Sequence, residues 1–118
     1  MKLQKIEIHK ETKVSFSSPE LLFLAQSGQP YRGSLHVQFE SVGESFDLLD
    51  FKKYITSLRS QTFYAEDIAF EIFSTIEQSI KSKNLGVVVE LTARGGIQQR
   101  LSFGFNFEPT FKNRFFQV

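Results

Sequence analysis

The sequence contains no cysteine. That removes disulfides, thiolate metal sites, CxxC redox pairs and any thiol nucleophile from the chemistry open to it. Tryptophan is also missing, proline occurs three times and histidine twice. The two imidazoles, His9 and His36, do not stand at a metal-site or hydrolytic-triad spacing from carboxylates or from each other, and read as polar strand-face histidines. No metal is expected. Charge of neither sign is in excess: 14 Lys and Arg against 13 Asp and Glu leave a net +1, which gives no electrostatic footprint for a nucleic acid. No stretch approaches the roughly 18 apolar residues of a membrane span, and Met1-Lys-Leu-Gln-Lys5 places charge where a secretory signal would be apolar. A soluble, cytoplasmic protein without membrane or nucleic-acid partners is expected.

What the chain does have is a globular mix, 41% hydrophobic and 23% charged over 118 residues, which predicts one domain spanning residues 1–118. Phenylalanine dominates its aromatics, with fourteen Phe against three Tyr. So small a domain exposes much of its surface relative to its volume. Some of those rings are therefore expected to be covered by a partner subunit.

Apolar residues alternate imperfectly over Lys2 to Ile8 and Lys13 to Phe16, predicting a strand or two. Pro19 interrupts the pattern, and the apolar run Leu21 to Ala25 ends in a loop marked by Gly28 and Pro30. From Gly33 to Val42 the period is two, with Leu35, Val37 and Phe39 on one face. Leu48, Phe51, Ile55 and Leu58 then fall at helical spacing between Asp47 and Arg59. A second helix is predicted from about Phe63 to Lys81, its stripe formed by Ile68, Ala69, Ile72, Phe73, Ile76 and Ile80, with Asn84 and Gly86 closing it. Val87 to Thr92 reads as a strand, Arg94-Gly-Gly96 as a turn, and Arg100 to Phe107 as the last strand. The order predicts an α+β fold: a four-stranded antiparallel sheet with two helices inserted between strands 2 and 3. Phe111 to Val118 fit either a tail or a docking segment.

Few residues carry candidate chemistry. Gly95-Gly96 lies in neither a GxGxxG nor a GxxxxGK[ST] pattern, so a tight turn accounts for it. Glu66 and Asp67 fall in the first turn of the second helix, where acids complement the positive dipole end. A carboxylate fixed there can also accept two parallel hydrogen bonds from the amino and ring N–H edge of a guanine-like ring. Lys52 and Lys53 suit a solvated helix face or a phosphate. Phe103, Phe105 and Phe107 suit a core or a subunit interface.

Several spaced segments together resemble one family. Ser27-Gly-Gln-Pro30 resembles an [ST]GQP loop, Phe51-Lys-Lys-Tyr54 with Ser57-Leu-Arg59 resembles a nicotinamide-cofactor helix and the SxR after it, Glu66-Asp67 an HED step, and Thr92-Ala-Arg-Gly-Gly-Ile97 a TPRGGI segment. The set resembles the 7-cyano-7-deazaguanine nitrile reductases of queuosine biosynthesis, NADPH-dependent enzymes of the tunnelling fold shared with GTP cyclohydrolase I and pyruvoyltetrahydropterin synthase. The resemblance runs from about Ser27 to Ile97. It implies that Glu66 anchors a purine-like ring, with Ala65 and Arg94 beside it in the substrate site, and that Lys52 and, more weakly, Asp47 belong to an NADPH site. It further implies protomers that oligomerise into a barrel with binding sites between subunits.

The catalytic positions depart from the family pattern. The cysteine that adds to the nitrile to give a thioimide falls on Leu24, and the proton-donating aspartate falls on Tyr31. The histidine before the anchoring acid is Ala65, and the ESKS opening of the cofactor motif reads Asp47-Leu-Leu-Asp50, with its lysine lost to Leu49. The expectation is a divergent homo-oligomer, alone or paired with a cysteine-bearing homologue, that binds a purine, deazapurine or pterin without reducing nitriles. An enzyme of altered chemistry with Glu66 as general acid or base, and a structural subunit that binds no ring, are the alternatives.

Overall fold

The computed structural model describes residues 2–109, apart from the side chain of Arg94. The tail from Phe111 to Val118 lies outside the described residues. The elements in chain order are β1 (Lys5–Glu7), β2 (Lys13–Leu24), β3 (Pro30–Ser41), β4 (Glu44–Phe46), α1 (Leu48–Ser57), α2 (Ala65–Ser79), β5 (Ser82–Arg94) and β6 (Ile97–Gly104), with a single 3-10 turn at Leu58–Ser60. β2, β3, β5 and β6 form an antiparallel sheet in that order, and β1 pairs with β4 in a small ribbon. Both helices fall between the second and third strands of the main sheet, as the periodicities predict.

Alternation in β3 decides which face becomes the core. Leu35, Val37 and Phe39 are buried together with Val87 and Val89 of β5 and the α2 stripe Ile68, Ile72 and Ile76. Such side chains, removed from water, supply most of the favourable free energy of folding, at roughly 25 cal/mol per Å². α1 adds Phe51, Tyr54 and Ile55, and a chain of rings from Phe16 through Phe46 to Phe51 joins the sheet to that helix.

Four boundaries differ from the sequence expectation. Pro19 does not end a strand: β2 runs through it from Lys13 to Leu24, with a register shift between Ser18 and Leu21. β2 is an edge strand, where a bulge tolerates the missing N–H of proline. Asn84 and Gly86 do not close α2, which ends at Ser79; they lie inside β5. Asn84 takes φ 57 where the β3 to β5 register shifts between Gln38 and Glu40, so its left-handed backbone makes a bulge instead of a helix cap. The last strand starts earlier, at Ile97, and ends at Gly104 with φ 89, so Phe105 and Phe107 leave the alternation. Phe103 and Phe105 are largely exposed, Phe103 packing edge-on against Phe70 and Phe73.

The two helices are tied by a polar cluster. The Tyr54 hydroxyl donates to Glu71 Oε2 (3.1 Å), and Thr75 Oγ1 lies 3.1 Å from the Tyr54 oxygen and 3.0 Å from Glu71 Oε2. Burial, reinforced by the charge of Glu71, pushes the Tyr54 phenol above its ordinary range, so it stays a donor at any physiological pH. Tyr54→Phe should cost about 1–2 kcal/mol in urea unfolding by leaving the Glu71 carboxylate short of a donor; an unchanged midpoint would show that the cluster contributes nothing.

Candidate functional site

The C-terminal end of β2 is pinned to the segment that precedes α2. The Leu24 N–H donates to the Gln61 carbonyl and the Phe63 N–H donates to the Leu24 carbonyl, both at 2.9 Å, making a parallel bridge between Leu24 and Thr62. Tyr64 then turns the chain into α2, whose first turn carries Ala65, Glu66 and Asp67. Leu24 and the start of α2, far apart in sequence, are thus at the same end of the fold. Ala65 is buried and Glu66 is exposed.

The loop after Leu24 is a tight turn, with Ala25 N–H donating to Gln29 O (2.8 Å), Gly28 N–H donating to Ala25 O (2.9 Å), and Gly28 at φ 87. It returns the chain into β3 so that Tyr31 pairs with Phe23, their rings stacked at 5.1 Å between centroids. Phe63 meets Phe23 edge-on at 6.1 Å. Phe23, Tyr31 and Phe63 therefore form a ring cluster on the core side of this strand end. The end of β5 joins them: Thr92 Oγ1 donates to Arg32 O (3.1 Å), and Gln29, Pro30, Tyr31 and Thr92 line a shallow hollow there. Arg94 is the last residue of β5 at this end, and its side chain lies outside the described residues.

The expected cofactor residues lie elsewhere. Lys52 and Arg59 line a groove of about 250 Å³ between α1 and the bulged part of β2, with Leu48, Phe51 and Ile55 on its apolar side. Asp47 does not line that groove. Its carboxylate accepts from the Asp50 N–H (3.0 Å) and caps α1, while its own N–H donates to Gln4 O (2.7 Å). A carboxylate turned onto the helix start satisfies a backbone donor that would otherwise be orphaned.

A cluster on the sheet face away from the helices escaped the sequence reading. His36 is buried: Ser17 Oγ lies 2.8 Å from Nδ1, and Glu90 Oε1 lies 3.2 Å from Nε2. Glu90 Oε2 also accepts from Arg100 Nη2 (2.7 Å), and Arg100 Nη1 donates to Glu108 (2.6 Å). Linear spacing hides these contacts because cross-strand register creates them: Ser17 pairs with His36, Ser34 with Glu90, and Glu90 with Arg100. The period-two alternation that places Glu90 on the same face as Val88 was the available signal. Burial holds the His36 imidazole below its ordinary pKa, with Glu90 opposing that shift. Among the described residues no three His, Asp or Glu side chains gather as metal ligands, and no helix is long and apolar enough to cross a membrane.

No protein-family model matches the chain. Among curated proteins it is similar to the NADPH-dependent 7-cyano-7-deazaguanine reductase of a Nitratiruptor species, 29% identical over 90 residues that make up 75% of this chain and 69% of that one. The enzyme of the same name from Rickettsia akari (strain Hartford) is 35% identical over 71 residues, 60% of this chain but 25% of that protein, so the chain spans about a quarter of that longer relative. Among solved structures, the apo form of the archaeosine synthase QueF-Like superposes with a TM-score of 0.73 over 82% of this chain and 96% of that one, at 15% identity. That likeness concerns the fold, and it agrees with the α+β tunnelling-fold arrangement expected from the sequence.

Asp47 offers a test of cap against ligand contact. Asp47→Ala should lower stability by about 1 kcal/mol, while Asp47→Asn, which keeps an acceptor, should be nearly neutral. Chemical denaturation of both variants checks this; equal losses would show that the carboxylate's charge, and not its capping bond, is what the protein uses.

Proposed function

We propose, on the premise that this chain is homologous to the NADPH-dependent 7-cyano-7-deazaguanine reductases, that it is a ring-binding subunit from which nitrile reduction has been lost. The observation that carries the proposal is the side chain at the end of β2. Leu24, hydrogen-bonded through its backbone beside the acidic start of α2, occupies the position where the family resemblance puts the sulfur. An alkyl group has no lone pair to add to a nitrile carbon, and the sequence holds no cysteine to replace it. Tyr31 stands at the acid position with its ring stacked on Phe23; a phenol of reference pKa near 10 is a poor proton donor in place of a carboxylic acid.

Ring recognition needs neither group. Glu66 accepts the amino and ring N–H edge of a guanine-like, deazaguanine or pterin ring, and the family resemblance assigns Ala65 and Arg94 to the same site. A carboxylate in open water gains little from such bonds, because water competes for the same lone pairs. The clamp therefore works between subunits, where a second copy covers Glu66. The open edges of β2 and β6, together with exposed Ile97, Phe103 and Phe105, supply surfaces for closing a barrel.

The relatives are named for NADPH, and the α1 groove fits part of that molecule. Lys52 and Arg59 would hold a phosphate against the apolar wall of Leu48, Phe51 and Ile55. At about 250 Å³ the groove is smaller than the roughly 300–1,000 Å³ of small-molecule pockets, so the rest of the dinucleotide would lie on a neighbouring subunit. When bound, NADPH supplies a hydride; in this chain no thioimide forms to receive it.

Purified protein should show no NADPH oxidation with 7-cyano-7-deazaguanine, and steady turnover would overturn the proposed loss of chemistry. In thermal-shift measurements guanine, deazaguanine or pterin ligands at about 100 times Kd should stabilise the protein by about 2.7 kcal/mol, several degrees in melting temperature. Glu66→Ala should abolish that rise while lowering the ligand-free melting temperature only slightly, by the loss of one acid from the helix start. An unaltered rise in the variant rejects the clamp.

A further inference from the structure

Directly after β6, residues 105–109 stay on the sheet. Phe105 donates its N–H to Leu85 O (2.8 Å), and the residues after it turn back across the face opposite the helices. The Phe107 ring sits over Gly86, where a Cβ would overlap both that ring and the Phe105 carbonyl oxygen. Phe107 and Pro109 then form one wall of a hollow of about 330 Å³ whose other wall is Ser15, Ser17, His36 and Gln38. Residues 105–109 thus make a strap running from β6 towards β2, with His36 beside it.

The fastenings of this strap are unequal. Phe107 on Gly86 is a packing contact that any opening must give up. The Arg100–Glu108 pair is solvent-exposed, and exposed ion pairs contribute little. Arg100 shares Glu90 with His36, so the strap and the imidazole draw on the same carboxylate. The groups facing His36 are Ser17 from β2, Ser34 from β3, Glu90 from β5 and Arg100 from β6, and Glu108 reaches it only through Arg100.

We propose that His36 and the Glu90–Arg100–Glu108 chain form a proton-operated catch that keeps residues 105–109 across the sheet face while the imidazole is neutral and lets them lift when it is protonated. With neutral His36, Nδ1 accepts the Ser17 hydroxyl proton and Nε2–H donates to Glu90, so each partner is satisfied without a net buried charge. Protonation takes away the Nδ1 acceptor, leaves two cations on one carboxylate, and puts a charge under an apolar cover. Lifting the strap admits water to that charge. Burial, with Arg100 adding to it, already lowers the His36 pKa in the closed form. The closed form is therefore favoured fully above the ordinary histidine value of about 6.5 and loses that advantage as pH falls through the lower closed-state value.

The Phe105 amide reports the catch directly, because its hydrogen bond to Leu85 breaks when the strap lifts. Hydrogen exchange on the full chain, corrected for intrinsic rates, should be severalfold faster at the Phe105 amide at pH 5.5 than at pH 7.5, because the His36 pKa is lowered in the closed form. Val87 and Val89 in the core should stay equally protected at both values. His36→Gln should remove the difference. Glu108→Gln, which removes only an exposed ion pair, should leave strap exchange at pH 7.5 nearly unchanged. Equal corrected exchange at the two pH values, or a response that survives in His36→Gln, would overturn the proposal.

Discussion

The bridge between Leu24 and Thr62 is the contact on which the candidate site depends. Two backbone hydrogen bonds fix where β2 stops and where the approach to α2 begins, so the side chain at 24 and the acids at the helix start share one end of the molecule. Backbone bonds hold this geometry whatever side chain stands at position 24. That independence would let such a scaffold tolerate different side chains at position 24 without moving the start of α2. The stacked pair Phe23 and Tyr31 packs the same corner from the next strand.

Three polar regions have separate tasks because the sheet keeps them apart. The strand ends carry the ring-binding candidates, the α1 groove carries Lys52 and Arg59, and the face away from the helices carries the chain from Ser17 to Glu108. The last has a buried centre at His36 and an exposed end at Arg100 and Glu108. The polar groups of the first two, Glu66, Lys52 and Arg59, lie nearer to water, where electrostatic interactions are weaker.

Elements whose side chains alternate or recur without interruption were legible in the sequence. Leu35, Val37 and Phe39 marked β3, and the Ile stripe marked α2, because burial selects side chains at the period of the backbone. Where the backbone departs from its period the pattern failed. Pro19 and Asn84 sit in bulges, each adding a residue on one strand that periodicity reads as an ending, and the left-handed Gly104 ends β6 before its apolar alternation stops. Glu66 and Leu24 could be singled out from motif spacing, but their placement at one end of the fold depends on the Gln61 to Phe63 segment, which carries no motif. The His36 to Glu90 contact was hidden for a similar reason: register between β3 and β5 is a long-range property, set by packing of the other face.

The central claim is that position 24 still faces the ring held by Glu66, and restoring the attacker tests it most directly. A Leu24→Cys protein incubated with 7-cyano-7-deazaguanine should gain the full mass of the nitrile as a covalent thioimide, seen by intact mass spectrometry, and Glu66→Ala in the same background should prevent it. A Leu24→Cys protein that stays unmodified at nitrile concentrations saturating its thermal shift would contradict the account.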